Sequence, residues 1–321
     1  MNSKIEPIAG DASFRRFYRF TLNKKSKILV LAKKEKYKNL IAYSIINNFL
    51  RSNKIFAPKL YEYNFKKGII FIEDFGNFSY YNMLINKKNK LPIYKKLIDL
   101  LLKIQKIKPK QKLKGIGNKS HILNKYSHKY LHKESDLFFD WYLPLFLNKK
   151  KSNKIKKTTK KILSKIYNKL NLPNSYFVHR DYHVQNIMKV GKKIGLIDSQ
   201  DALIGNPAYD LVSLIDDVRI KTSVKLKNQI YYYYLQNTSK IKKDELENFL
   251  EDFNILSIQR NLKIIGIFSR LFKRDNKKQY LKFIPYAWKL LELRMNSEIF
   301  LELKKILNQN ISKKIRNTII I

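Results

Sequence analysis

The chain has 321 residues, no cysteine, and 67 lysines and arginines against 25 acids, for a net charge of +42. The lack of cysteine excludes disulfides, thiolate nucleophiles and cysteine-bound zinc or iron–sulfur clusters. A composition that is 44% hydrophobic and 13% aromatic excludes wholesale disorder, and the length allows one large domain or two lobes, each able to bury a core.

The charge invites a nucleic-acid or membrane-surface reading, because phosphate-rich partners attract lysine-dense surfaces. The lysines, however, run along the whole chain instead of gathering in one stripe or tail. They accompany abundant isoleucine, asparagine and tyrosine, the joint bias of A- and T-rich coding DNA. Compositional drift is therefore the stronger explanation, and a nucleic-acid partner is not expected. The N-terminal MNSKIEPIAGD lacks the apolar stretch of a signal peptide and no later segment is long enough to span a bilayer, so the expectation is a cytoplasmic, monomeric protein. His121, His128 and His132 lie at helical spacing in a lysine-rich stretch. They are read as solvated or capping residues.

In chain order, Phe14, Phe17 and Phe20 within FRRFYRFTL and then KILVLA at 27–32 predict two antiparallel strands. A helix follows over about 35–51, with Leu40, Ile41, Ile45, Phe49 and Leu50 on one face. KLYEYN and GIIFIE predict two more strands around a turn at Lys66, Lys67 and Gly68. The run Glu73-Asp74-Phe75-Gly76 ends the strand pattern and reads as a hinge. Beyond it the periodicity is helical, near 92–107, 134–148, 153–170, 207–218, 222–237, 243–273 and 277–309, with the lysine-rich 148–161 stretch read as a solvated helix start. The acids Asp244, Glu245, Glu247, Glu251 and Asp252 are expected on a solvated helix surface. One island, YFVH, NIMKV and KIGLID between 176 and 198, predicts short strands whose ends carry functional loops. The predicted class is α+β, with a small antiparallel-sheet lobe over 1–76 and a mainly helical lobe over 77–321.

The strongest motif is His179-Arg180-Asp181-Tyr182-His183-Val184-Gln185-Asn186, which fits H-R-D-x-x-x-x-N at every fixed position. The spacing has a chemical reason. A base at Asp181 takes the proton of an attacking hydroxyl while Asn186 returns from the same loop to a metal ion on the nucleotide phosphates. Asp198 follows the apolar strand Ile194–Ile197 and supplies the second oxygen ligand that a hard ion needs. It is followed by Ser199-Gln200-Asp201 where protein kinases carry Phe-Gly, which favours a small-molecule kinase. Asp201 is either a further metal or substrate contact or a loop cap. In Gly205-Asn206-Pro207-Ala208-Tyr209-Asp210, Asn206 suits a helix cap and Pro207 the first turn. Asp210 then serves as a buttress for the catalytic loop, as a first-turn acid for the helix dipole, or as both. Gly10-Asp11-Ala12-Ser13-Phe14 precedes the first strand as a small-residue loop able to cover phosphates through backbone N–H groups, with Arg15 or Arg16 adding charge.

These residues resemble the aminoglycoside and choline phosphotransferase family, of protein-kinase-like fold, and within it the anomeric kinases of N-acetylmuramate and N-acetylglucosamine. GDASFRRFYRF resembles that group's phosphate-loop segment, FIEDFG its hinge, HRDYHVQNIM its catalytic loop and IDSQDALIGNPAYDLVSLIDD its metal loop and following helix. DLFFDWYLPLF and QRNLKIIGIFSRLFKRDNKKQYL resemble C-lobe stretches of the sugar kinases in particular. The resemblance implies ATP and Mg2+ as cofactors, Asp181 as base, and Asn186 and Asp198 as metal ligands. It also implies adenine binding along Glu73 to Phe75, phosphate contacts from Gly10, Ser13 and Arg15, and a structural Asp210.

The usual phosphate-binding strand lysine is absent: KILVLAKKEK presents Leu31 or Ala32 there, and Lys33 is the nearest substitute. Trp141, Gln200, Gln259, Arg260 and Arg270 are candidates to contact a sugar, with helix-surface and core roles as the competing assignment. The implied reaction is ATP-dependent phosphorylation of a sugar hydroxyl, the anomeric one of an N-acetylated amino sugar, in cell-wall recycling. The alternatives are a kinase of an aminoglycoside or amino alcohol, which would need an acidic pocket, and a nucleotide- or RNA-binding pseudokinase, which the missing lysine and the charge would suit.

Overall fold

The computed structural model describes residues 3–8, 15–33, 37–239 and 241–318. Contacts group the chain into two compact units, residues 1–125 with 175–204, and residues 126–174 with 205–321.

The first unit is built on an antiparallel sheet of β1 (Ser3–Ile8), β2 (Arg16–Leu22), β3 (Lys25–Leu31), β4 (Leu60–Asn64) and β5 (Ile69–Glu73), in the order β1-β2-β3-β5-β4. β2 and β3 form a hairpin through Asn23 and Lys24, both in the left-handed region that a tight turn demands. β1 was not legible in the sequence, because its residues are mostly exposed and SKIEPI carries no strong alternation. Helix α1 (Tyr37–Ser52) buries Leu40, Ile41, Ile45 and Leu50, as its apolar face predicts, although Phe49 is only half-buried. It also buries two polar side chains, Ser44 and Asn47. Helical segments begin after the hinge with α2 (Tyr80–Ile85) and α3 (Leu91–Gln105), the latter opened by Pro92 in its first turn. A small hairpin, β6 (Lys112–Lys114) and β7 (Ser120–Ile122), was missed because three-residue strands carry no readable period.

The island at 176–198 forms as predicted. β8 (Tyr176–Val178) pairs with β11 (Leu203–Gly205), and β9 (Ile187–Val190) pairs with β10 (Lys193–Leu196) in a hairpin. Gly195 in β10 is required by packing: a Cβ there would stand 2.6 Å from the ring of Phe75.

The second unit is helical: α4 (His128–Leu137), α5 (Lys149–Tyr167), α6 (Ala208–Ile215), α7 (Val224–Asn237), α8 (Leu246–Asp275), α9 (Ile284–Arg294), α10 (Leu301–Asn310) and α11 (Lys313–Asn317). The helix expected over 134–148 is interrupted by a π-helical turn at Phe138–Tyr142 and a 3-10 turn at Leu143–Leu145. Pro144 cannot continue an α-helical ladder, and Gly266 of α8 packs so close that a Cβ would meet the backbone at Leu137 and Phe138 within 2.5 Å. α5 is the solvated, lysine-rich helix its sequence implies, capped where the Asn148 side chain accepts from the Lys151 N–H.

The core of this unit is aromatic. Trp288 donates to the Tyr142 hydroxyl at 2.9 Å, packs edge-on against Phe138, and lies under the Arg316 guanidinium at 4.8 Å. The expectation that the acids at 244–252 are all solvated fails at Asp252, which is buried. Its carboxylate accepts from the Asn171 and Leu172 N–H groups at 2.8 and 2.9 Å and from Asn206 at 2.6 Å, so neighbouring loops satisfy it where water would otherwise be needed. No described helix is long and apolar enough to cross a membrane.

Candidate active site

The catalytic-loop motif lies between β8 and β9, in the first unit. Its conformation is held by backbone and buried side-chain contacts. Arg180 adopts φ +73°, an uncommon value for a non-glycine residue, and its side chain donates to the Asp201 carbonyl at 3.1 Å. His179 is fully buried and its Nε2 lies 3.0 Å from the Ile197 carbonyl, tying the start of the motif to the residue before Asp198. Tyr182, also buried, donates to the Leu97 carbonyl at 2.7 Å, and the Tyr81 N–H donates to the Val184 carbonyl. Asn186 donates through Nδ2 to the Asp181 carbonyl at 3.0 Å, so the two residues are positioned by each other and the Asn186 Oδ1 remains as an oxygen donor.

Asp198 follows β10 with φ +66°, a second left-handed residue of the site. Its carboxylate receives Arg15 Nη2 at 2.6 Å, while Arg15 Nη1 donates to Gln200 Oε1 at 2.8 Å. Gln200 in turn donates to Asp201. The Arg15 guanidinium is buried and lies 5.4 Å from the Phe17 ring and 5.8 Å from that of Tyr43 on α1. Burial pushes the Tyr43 hydroxyl up to about 12, so Arg15 rests on a neutral ring, not on an anion. Deeper on α1, Asn47 accepts from the Ser199 hydroxyl at 2.6 Å, fixing the loop after Asp198.

Arg15, Phe17, Tyr43, Asn186 and Asp198 line a cleft of about 580 Å3 together with Ile8, Ile28, Ile72, Phe75, Met188 and Ile197. Its edge is the run from Glu73 to Asn77. Glu73 does not spend its carboxylate on the cleft: it accepts from Arg51 at 3.3 Å and from the Lys59 N–H at 3.1 Å, holding the hinge against the loop after α1. Asp74 is clamped by Arg19 at 2.5 and 2.9 Å and by the Gly76 N–H at 2.8 Å. Burial alone would raise the Asp74 carboxyl, but the Arg19 guanidinium, the Gly76 N–H and the Ser26 hydroxyl outweigh it and hold the group below the ordinary carboxylate range. A partly apolar slot whose lining also carries a cation and a carboxylate suits a nucleobase and its phosphates.

The chain's donor set also fits a hard cation shared with phosphates. Among the described residues no three acidic or histidine side chains form a metal cage. Asn186 and Asp198 both line the cleft, and a magnesium ion is held by one or two protein oxygens with phosphates and water completing its shell. Asp198 already attracts a cation, Arg15.

The cleft thus brings together Arg15, Glu73, Phe75, Asn186 and Asp198, with Asp181 and Gln200 bonded to members of the set. Lys33 is exposed beyond the end of β3 and does not line the cleft. Gly10 and Ser13 lie outside the described residues. The remaining candidates belong to the second unit. Asp210 is buried in the first turn of α6, whose Ala208 N–H is capped by Asn206 at 2.9 Å. Trp141 is half-buried on the π-helical turn. Gln259 is fully buried and donates to Glu134 at 2.9 Å, within a cluster completed by Tyr126, Tyr209 and Lys263. Arg260 is buried with its guanidinium 5.7 Å from the Tyr209 ring, and Arg270 is half-buried. Sequence reasoning missed Arg19, Tyr43 and Asn47, which carry no motif and become visible only through their partners.

Comparison with known proteins gives the same direction. The model of the phosphotransferase enzyme family matches residues 4–243. The N-acetylmuramate/N-acetylglucosamine kinase of Pseudomonas aeruginosa is 26% identical over 293 residues, covering 90% of this chain and 83% of that protein. The protein of the same name from Neisseria meningitidis is 27% identical over 284 residues, covering 86% and 81%. Among solved structures, spectinomycin phosphotransferase in complex with ADP and spectinomycin superposes with a TM-score of 0.62 at 16% identity, covering 92% of this chain and 93% of that one. Plasmodium vivax ethanolamine kinase gives 0.61 at 14% identity, covering 92% and 82%. These likenesses to solved structures establish the kinase-like fold, and the family match establishes that the chain belongs to the phosphotransferase enzyme family.

Proposed function

We propose that the protein transfers the γ-phosphoryl group of ATP, with magnesium, to a sugar hydroxyl, and that the acceptor is the anomeric hydroxyl of N-acetylmuramate or N-acetylglucosamine. The single observation that carries the phosphotransfer reading is the loop from His179 to Asn186 folded so that Asn186 donates to the Asp181 carbonyl beside Asp198. The acceptor rests on the relatives named above, whose matches cover 90% and 86% of this chain, and on the resemblance of the segments around Trp141 and Gln259 to those of such sugar kinases.

In this reading Asp181 accepts the proton of the attacking hydroxyl and orients its oxygen toward the phosphorus. The hinge from Glu73 to Phe75 presents backbone groups to the adenine, and Ile28, Ile72, Met188 and Ile197 enclose it. Asn186 and Asp198 would hold the magnesium ion, which when bound neutralises charge on the phosphates. Arg15 takes the place of the absent strand lysine: its buried fork faces the cleft beside Asp198, while Lys33 is turned to solvent. Asp210 is a structural residue of α6, and a sugar 1-phosphate made by a cytoplasmic, monomeric enzyme would serve the reuse of cell-wall sugars.

Phosphorus NMR on the protein incubated with magnesium, ATP and each of the two sugars tests this directly. A sugar 1-phosphate resonance that is absent with Asp181→Ala supports both reaction and base. ATP binding without product on either sugar would refute the acceptor and leave the nucleotide site standing.

A further inference from the structure

A second cleft, of about 600 Å3, opens in the same unit as the nucleotide cleft and shares no described residue with it. Three elements converge on it. Lys96, Asp99 and Lys103 stand three and four positions apart on one face of α3. Lys192 and Lys193 come from the β9–β10 turn, which Gly191 closes at φ +57°. Arg51 and Lys54 come from the end of α1, with Lys54 itself at φ +62°.

The Arg51 charge is consumed by Glu73 and the Ala57 carbonyl. The five lysines form no ion pair among the described residues, and Asp99 is the only acid on the lining. A lysine-rich composition scatters ammonium groups over convex surface, where they repel one another little. Five of them converging on one concavity is unfavourable in the empty state, and a concave wall of one sign concentrates potential for an ion of the other. The floor is apolar, formed by Ile55, Phe56, Leu100 and Ile194, and Phe56 stacks on Phe75 of the nucleotide cleft at 4.5 Å, so a pair of rings separates the two clefts.

We propose that this cleft binds a small anion bearing several phosphate charges. Its volume is that of a small-molecule site, and it has lysine point charges where a planar carboxylate reader would use arginine forks. The inference does not depend on the sugar-kinase reading.

The test is calorimetric titration of inorganic tripolyphosphate into the full chain at physiological salt. It is repeated with Lys96→Gln/Lys192→Gln/Lys193→Gln, whose exposed side chains leave the core untouched, and with Arg15→Ala, which removes the nucleotide-cleft cation that sits beside Asp198. The proposal expects one site whose affinity falls at least tenfold in the triple variant, with unchanged thermal unfolding, and is unaltered by Arg15→Ala. No binding to the wild type overturns it, as does binding lost with Arg15→Ala but kept by the triple variant. Binding of a single-stranded RNA oligonucleotide but not of tripolyphosphate, abolished in the triple variant, replaces it with a nucleic-acid surface.

Discussion

Arg15 and Asp198, 183 positions apart, meet at 2.6 Å, and the same guanidinium reaches Gln200 at 2.8 Å. The pair joins the segment before the first hairpin strand to the candidate metal loop, and only an arginine fork spans both acceptors from a buried position. A lysine at the same place would satisfy one oxygen and leave the other.

Arg15→Ala is expected to weaken ATP and ADP binding by roughly tenfold to a hundredfold, the scale of a charge-assisted contact, while leaving adenosine binding near its wild-type value. Arg15→Lys should recover part of the loss. Titrations with the three ligands separate a phosphate contact from general damage, since a misfolded cleft would lose all of them together.

Asp181→Asn keeps the shape of the loop and removes the base. Turnover should fall by about 10²- to 10⁴-fold with nucleotide affinity unchanged, measured by single-turnover kinetics beside a binding isotherm. Unaltered turnover would assign the base elsewhere.

Gly195→Ala places a Cβ within 2.6 Å of the Phe75 ring, in a strand whose neighbours Leu196 and Ile187 are fully buried. The ring must shift at the hinge, so ATP affinity should drop and stability should fall by about 1–3 kcal/mol. Chemical denaturation and ATP titration read the two effects. A protein indistinguishable from wild type in both would show that Phe75 moves freely.

In the second unit, Asp216 is fully buried and accepts from Lys227 at 3.1 Å, Arg294 at 2.9 and 3.0 Å, and Ser257 at 2.7 Å. Burial alone would raise its carboxyl, but the Lys227 and Arg294 charges overcome this and hold it far below the ordinary range. A depressed folded-state value means that the stabilisation is complete above the unfolded-state value of about 4, and is lost as pH falls from there toward the folded one. Asp216→Asn should cost about 3–5 kcal/mol at neutral pH, because the buried Lys227 and the half-buried Arg294 both lose their partner. Its melting temperature should also depend less on pH below about 4 than that of the wild type. Equal acid sensitivity in the two proteins would contradict this account.

Much of the candidate site was legible because the proposed phosphoryl transfer needs a base and two metal oxygens at close, ordered spacing. Asp181, Asn186 and Asp198 sit within 18 positions, so local chain geometry brings them near one another and leaves a motif. The strands at 16–31 and 60–73 were legible through β-branched and aromatic runs broken by turn residues. Legibility failed for β1, whose exposed SKIEPI has no period. It failed again at 134–148, where close packing against Gly266 and the presence of Pro144 override a helical pattern. Asp252 looked solvated because helical spacing records which face a residue occupies and not what covers that face.

The sequence by itself determined the fold class, the class of chemistry and the loop proposed to carry it, since each depends on residue types at short, regular separations. Only the tertiary structure decided that Arg15, and not Lys33, lines the cleft beside Asp198, that Glu73 is turned onto Arg51 and Lys59, and that Gln259 is enclosed by the buried Glu134 cluster. Those outcomes depend on side chains distant in sequence meeting in space. A one-dimensional pattern does not encode such meetings, because chain folding, and not spacing, brings the partners within hydrogen-bonding reach.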